Sequence, residues 1–199
     1  MDLSIYQLSP DDHKVAVTIL FSAFGSNKAG ASEILKYFQL QPICWYAAKY
    51  ENEPAGVVAT INYGQFTYLG MMAVRKELQR KGIGEALLQR CLHWSEGMGI
   101  TFFRLDASET GFGLYAKFNF RVIDQSSLFR LSKRSEWRDY PDNVSQIQIS
   151  DIRSLADFDA SIFGANRAFL FHALLELFPS RGFVKWSKSG EILGYIRSA

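Results

Sequence analysis

The sequence predicts a mixed α/β protein, an α+β arrangement whose sheet begins antiparallel, followed by a shorter unit that repeats its opening. Three observations point there. Strand-like and helix-like periodicities alternate along the chain. Two apolar runs, "ICWYAAKY" and "PAGVVATINY", flank Glu51-Asn52-Glu53 as the arms of a hairpin would. Phe24-Gly25 and Gly56 recur as Phe163-Gly164 and Gly194, at offsets of 139 and 138.

Taken in order, "LSIYQL" alternates like a strand, and Ser9-Pro10 then supply a cap and a proline suited to a helix that runs to about Ala23. A second helix is expected over Ser32 to Gln39. The hairpin follows, and "FTYLGMMAV" is the next strand. In the helix after Gly82, Ile83, Leu87, Cys91 and Trp94 fall at spacings of four, four and three. That face is expected on the sheet, with Glu85, Gln89 and His93 turned elsewhere. "TFFRLDA" reads as a strand, Thr110 to Lys117 as a short helix, and "FRVIDQSSLFRLS" as the end of the unit.

The plan then starts again. "SKRSEWRDYPDNVSQ" is polar, carries Pro141 and lacks periodicity, which marks a boundary. Beyond it come a capped helix ending Phe-Gly, a second amphipathic helix, a strand, a tight turn and a strand. The expected organisation is one domain over 1–134, a linker over 135–146 and a partial second copy over 147–199, truncated before any counterpart of the Gly82 segment. Its last strand-like run, Glu191 to Ser198, would leave a sheet edge, expected to pair within the chain or across a homodimer.

Composition narrows the function. Over 199 residues, a hydrophobic share of 48% supports a globular core, and a net charge of +2 argues against an electrostatic nucleic-acid binder. Cys44 and Cys91 are too few and too unpatterned for a disulfide framework or a zinc site, so each is expected to be a small buried hydrophobe in a reducing compartment. No apolar run is long enough to span a bilayer and no signal-like segment opens the chain. A cytoplasmic protein with no membrane or nucleic-acid partner is expected.

The segment "QRKGIGEALL" carries the chemistry. Glycine in a helix's first turn costs about 1 kcal/mol against alanine. Bare backbone there lets an anion approach unpaired N–H groups at the positive end of the helix dipole. A nucleotide-binding loop would need Gly-Lys-Ser/Thr, but Glu85 and Ala86 follow Gly84. A dinucleotide fingerprint would need a third glycine where Leu87 stands. The pattern Gln/Arg-x-x-Gly-x-Gly/Ala fits Gln79 to Gly84 at every fixed position. "MAVRKELQRKGIG" and "LDASETGFGLYAKFNF", with the pair Leu114-Tyr115, follow in matching order. On these residues the chain resembles the GNAT superfamily of N-acetyltransferases from about Leu3 to Leu131, and the segment after Asn143 resembles a second, GNAT-like lobe.

The resemblance implies acetyl coenzyme A as the acyl donor. Its pantetheine would lie along the backbone of Met72, Ala73 and Val74, and its pyrophosphate on Gln79, Arg80, Lys81, Gly82, Ile83 and Gly84. Ser108 stands where many members carry an asparagine that contacts the cofactor. Tyr115 is the expected general acid, since a phenol holds its proton at neutral pH and can pass it to a leaving thiolate. The glutamate that many relatives use as base is missing, for Gly70 and Met71 hold those positions. Asp106 is a candidate base or amine anchor, with a strand-end cap as the plainer role, and water is the alternative base. His13, His93 and His172 fall in helix-like runs away from the motif and are expected to be structural or solvated. The stretch Ala23 to Gln39, with Trp45 and Tyr46 nearby, is expected to select the acceptor, an amine of a small molecule or peptide. The competing expectation, favoured by the absent glutamate, is a non-catalytic acyl-coenzyme A binding module.

Overall fold

The computed structural model describes residues 2–25, 28–40, 43–125, 127 and 142–197. It divides into two compact units, Met1–Tyr115 and Ala116–Ala199.

In the first unit, β1 (Leu3–Gln7), β2 (Ile43–Tyr50), β3 (Glu53–Asn62) and β4 (Thr67–Val74) pair antiparallel in sequence order. Glu51 (φ 51°) and Asn52 (φ 69°) are both left-handed, as a two-residue hairpin between right-twisted strands requires. The last strand, β5 (Phe103–Leu105), lies parallel to β4. A parallel neighbour needs a crossover, and α3 (Ile83–Glu96) lies within that connection.

Helix α1 (His13–Phe24) is entered through a 3-10 turn at Pro10–Asp12. The Ser9 N–H and hydroxyl both donate to the Asp12 carboxylate, at 2.9 and 2.7 Å, which fixes the start where the sequence placed it and holds that carboxyl below its usual pKa. Helix α2 (Lys28–Gln39) begins four residues before the expected Ser32, because "KAGA" is small and aperiodic and gives no helical signal of its own.

Strand alternation sorts the two faces of the sheet. Trp45, Ala47, Val57, Ala59 and Ala73 pack with Ala16, Ile19 and Leu20 of α1 and with Ile34 and Phe38 of α2. The opposite face meets α3: a Cβ on Gly56 would stand 3.0 Å from Leu87 Cδ1, 3.1 Å from Ile83 Cγ2 and 3.1 Å from the Ala73 carbonyl oxygen. The carbonyl cannot move aside, so Gly56→Ala is expected to cost about 1–3 kcal/mol, measured as a lower midpoint in chemical denaturation. The face of α3 differs in detail from expectation. Ile83, Leu87 and Cys91 are buried as expected, but Leu88 and Ser95 are buried too, whereas Trp94 is only half-buried. Ser95 can sit in the core because its hydroxyl donates to Thr67 Oγ1 at 2.8 Å, a long-range partner that periodicity cannot register.

The short helix α4 (Phe112–Lys117) follows. Of "FRVIDQSSLFRLS", expected to finish the unit, residues 120–125 lie outside any strand, and residues 126 and 128–132 fall outside the described residues. The expected linker is also corrected at its end. Val144–Gln146 is a strand, β6, whose short and mostly polar sequence reads as loop because its order comes from backbone pairing. Residues 135–141 lie outside the described residues.

The second unit holds β6, α5 (Ile152–Phe163), α6 (Ala168–Leu177), β7 (Gly182–Trp186) and β8 (Ile192–Arg197), with an antiparallel sheet in the order β6-β7-β8. Helix α5 stands 139 residues after α1 at both ends. A 3-10 turn leads into it, and there the Gln148 N–H donates to Asp151 at 2.8 Å, as Ser9 does to Asp12. Both hairpins carry a register break, after Ala48 in one and after Lys185 in the other. Gly194, like Gly56, forms the pair beside the register break, yet a Cβ there would meet nothing within 4 Å. The core of this unit is Ile147, Ile152, Leu155, Ala156, Phe171 and Val184. Where α1 has Leu20, α5 buries Asp159, which takes both arms of the Arg167 guanidinium at 2.7 and 2.6 Å and the Tyr195 hydroxyl at 2.6 Å.

Among the described residues, no helix is long and apolar enough to cross a membrane.

Candidate active site

The site begins where β4 and β5 part. Their pairing runs only from Thr67 opposite Phe103 to Leu69 opposite Leu105, so the β4 edge from Gly70 to Val74 has no described strand beside it on that side. On its other side β4 carries one residue more than β3: Val57 is opposite Ala73 and Ala59 opposite Gly70. The surplus is a bulge at Met71-Met72, with Met71 at φ 52°. Left-handed backbone costs a side-chain-bearing residue about 1–2 kcal/mol. Met71 is held there by packing its side chain against the α1/α2 core. A bulge re-aims backbone groups, here on the unpaired stretch that contains Met72, Ala73 and Val74.

The Gln79 to Gly84 segment joins this edge to α3. Gln79, the first fixed residue of the motif, donates from Nε2 to the Val74 carbonyl at 3.3 Å, so it ties the loop to β4. Arg80 (φ 62°) and Gly82 (φ 81°) are left-handed and Lys81 between them is not, an alternation that turns successive N–H groups toward one concavity. The first bond of α3 runs from the Ala86 N–H to the Gly82 carbonyl at 3.0 Å, so the amides before Ala86 have no acceptor within the helix. Lys81 places its ammonium 4.7 Å from the centre of the Tyr50 ring, and Arg80 is exposed. Ile83 is 1% exposed and is a core residue of α3, contributing only its amide to the loop.

The two glycines do different work. A Cβ on Gly82 would meet nothing within 4 Å, so glycine there serves the left-handed turn. A Cβ on Gly84 would stand 3.3 Å from Leu114 Cδ2 and 3.8 Å from Val74 Cγ2, so glycine there lets α3, α4 and β4 come together.

Tyr115 follows Leu114 on α4 and is buried, with its ring beside Gly111. Burial, and then the neighbouring Cys91 of α3, push its phenol above the ordinary value. Its proton is therefore held firmly at neutral pH, and the hydroxyl lies on the α3 side of the sheet. Ser108 is exposed and bonds within its own turn: its hydroxyl contacts Thr110 Oγ1 at 3.1 Å and accepts the Gly111 N–H at 3.2 Å, and its carbonyl accepts the Phe112 N–H at 3.0 Å. It shapes the turn into α4.

Gly70 and Met71 leave β4 without a carboxylate, as expected. Asp106 lies just past β5 and accepts a hydrogen bond from the Tyr68 hydroxyl of β4. Tyr68 carried no signal that sequence reasoning used, since its partner is 38 residues away.

The remaining candidates lie elsewhere. His13 Nδ1 is 3.0 Å from the Pro10 carbonyl, and His93 and His172 are exposed on α3 and α6. Cys44 and Cys91 are free and buried, and burial raises both thiols. Among the described residues no group of three or more His, Cys, Asp or Glu could hold a metal ion. Trp45 and Tyr46, expected together near the acceptor, diverge: Trp45 stacks on Phe38 at 4.4 Å under α2, and Tyr46 lies on the α3 face with Arg90 5.1 Å over its ring. Adjacent strand residues cannot share a face. Residues 26 and 27 of the acceptor stretch fall outside the described residues.

The sequence profile of the acetyltransferase (GNAT) family matches residues 13–120. Among curated proteins, YitH of Bacillus subtilis (strain 168), an uncharacterized N-acetyltransferase, is 23% identical over 150 residues, covering 73% of this chain and 52% of that protein. The chain thus spans about half the length of this relative. A Pyrococcus horikoshii structure provisionally assigned as an acetyltransferase superposes with a TM-score of 0.68 at 25% identity, covering 99% of this chain and 72% of that one. A Clostridium acetobutylicum structure, assigned as an acetyltransferase by prediction and solved with acetyl-CoA, shares the fold with a TM-score of 0.55 at 18% identity, over 65% of this chain and 96% of that one.

Proposed function

The chain belongs to the GNAT family of acetyltransferases, and from that premise we propose that it moves an acetyl group from acetyl coenzyme A to a primary amine of a small molecule or peptide. The observation that carries the proposal is the unpaired edge of a bulged β4 leading directly into the amide-rich start of α3. Backbone amides and carbonyls of Met72, Ala73 and Val74 offer an extended amide chain the bonds that a sixth strand would make. The Arg80 to Gly84 amides, with the cations of Arg80 and Lys81, suit a pyrophosphate. Bound acetyl coenzyme A supplies an acetyl carbon activated by a thiol leaving group.

The chain's own residues must then hold the thioester, receive a neutral amine and protonate the thiolate. Tyr115 takes the last task. Its raised pKa keeps the phenol protonated through the neutral range, so the proton is present when the carbon–sulfur bond breaks. Buried free cysteines suit a reducing, cytoplasmic setting.

The test is a thiol-release assay over a panel of small amines and peptide N-termini, with the acetylated product identified by mass spectrometry. Stoichiometric thiol and acetylamine are expected for at least one acceptor class. Coenzyme A binding with no turnover on any amine would instead favour a non-catalytic acyl-coenzyme A module, the reading that the missing β4 carboxylate supports.

A further inference from the structure

We propose that Asp106, oriented by Tyr68, is the carboxylate that receives the acceptor amine and takes its proton, supplying from β5 what β4 lacks. This rests on the acetyl-transfer reading above. Asp106 is one residue beyond Leu105, the last β5 residue paired with β4, and so stands at the point where the two strands separate. Its face follows from the register. Tyr68 is opposite Arg104 on β5 and Ile61 on β3, and Ile61 packs with the α1/α2 core, as Met71 of the bulge does. The bond from the Tyr68 hydroxyl brings the Asp106 carboxylate to that same side. Tyr115 lies on α4, where its neighbour Leu114 packs against Gly84 of α3. The parting strands therefore have a carboxylate toward α1 and α2 and a phenol toward α3.

That division suits the two proton transfers. An alkylammonium ion is drawn to the Asp106 carboxylate and gives it one proton, which leaves the nitrogen lone pair free. The carbon–nitrogen bond forms as the carbon–sulfur bond breaks, and the departing thiolate takes a proton from Tyr115. The surplus proton on the new amide nitrogen returns to the Tyr115 oxygen, and Asp106 releases its own to solvent. Tyr68, whose hydroxyl donates to the carboxylate and acts through it, is a positioning residue. Asp106 is exposed, so Asp106→Asn, of the same shape, leaves the core untouched.

The experiment compares wild type, Asp106→Asn, Asp106→Glu and Tyr68→Phe on an amine that the wild type acetylates, with coenzyme A affinity measured by calorimetry for each. Asp106→Asn is expected to lower kcat/KM by about a hundredfold or more with coenzyme A affinity unchanged. Asp106→Glu should recover part of the loss, and Tyr68→Phe should show a smaller loss. A kcat/KM for Asp106→Asn close to that of wild type would overturn the role of Asp106 while acetyl transfer stands. A wild type that acetylates no amine would overturn the acetyl-transfer reading, and this one with it.

Discussion

Replacing Tyr115 with Phe is expected to lower kcat for acetyl transfer by about a hundredfold or more, with coenzyme A affinity nearly unchanged. The ring is buried against Gly111, where an added Cβ would lie 3.3 Å from Tyr115 Cε2, and phenylalanine keeps that packing. Only the proton donor is lost, so the defect belongs in the chemical step. Because burial raises the phenol's pKa, the wild type retains its acid form through neutral pH and loses it only in the alkaline range above the ordinary tyrosine value. Steady-state kinetics on any accepted amine decide the matter: a kcat within a few-fold of wild type would make Tyr115 a packing residue.

A second large effect is expected far from the chemistry. Asp159→Ala should destabilise the second unit by about 3–5 kcal/mol, because a buried ion pair that loses one partner leaves the other charge uncompensated. The Asp159 side chain is 4% exposed and that of Arg167 22%, and Arg167 lies 3.9 Å from the centre of the Phe163 ring. Hydrogen exchange of the β7 and β8 amides reads the loss directly. Replacing Asp159 and Arg167 together by Leu and Met should cost much less, which separates a stranded charge from lost packing. Tyr195 adds a pH dependence. Burial, then its bond to Asp159, push its phenol up from 10.0 to about 12. A raised folded-state value favours the protonated phenol, so this contribution is complete below pH 10 and is lost as pH rises through about 12. Wild type should therefore lose stability more steeply than Tyr195→Phe across that window, and parallel curves would contradict the assignment.

Local rules made much of this legible, and non-local ones hid the rest. The Ser9-Pro10 helix entry, the Glu51-Asn52 turn and the Gly82 loop are each written within a few residues, and each stands where its chemistry places it. The two glycines of the motif look alike in sequence. Only the packing of Leu114 against Gly84 shows that one serves backbone conformation and the other close approach. The bulge at Met71 left no trace in the alternation of "TYLGMMAV", because one extra residue in an apolar strand changes no residue type. Ser95 and the Tyr68–Asp106 pair depend on partners 28 and 38 residues away. Val144–Gln146 reads as loop because an edge strand needs only backbone partners.

The pyrophosphate seat at the start of α3 is tested most directly by calorimetric titration of coenzyme A into wild type, Gly82→Asp and Gly82→Asn. Both substitutions bear the same left-handed strain, about 1–2 kcal/mol, and neither Cβ meets an atom within 4 Å. Only aspartate sets a negative charge among the amides and cations that would receive the anion. The expected result is binding by wild type, a modest loss for Gly82→Asn, and a loss of at least about tenfold more for Gly82→Asp. Equal affinities for the aspartate and asparagine variants would contradict the placement of the pyrophosphate on these amides.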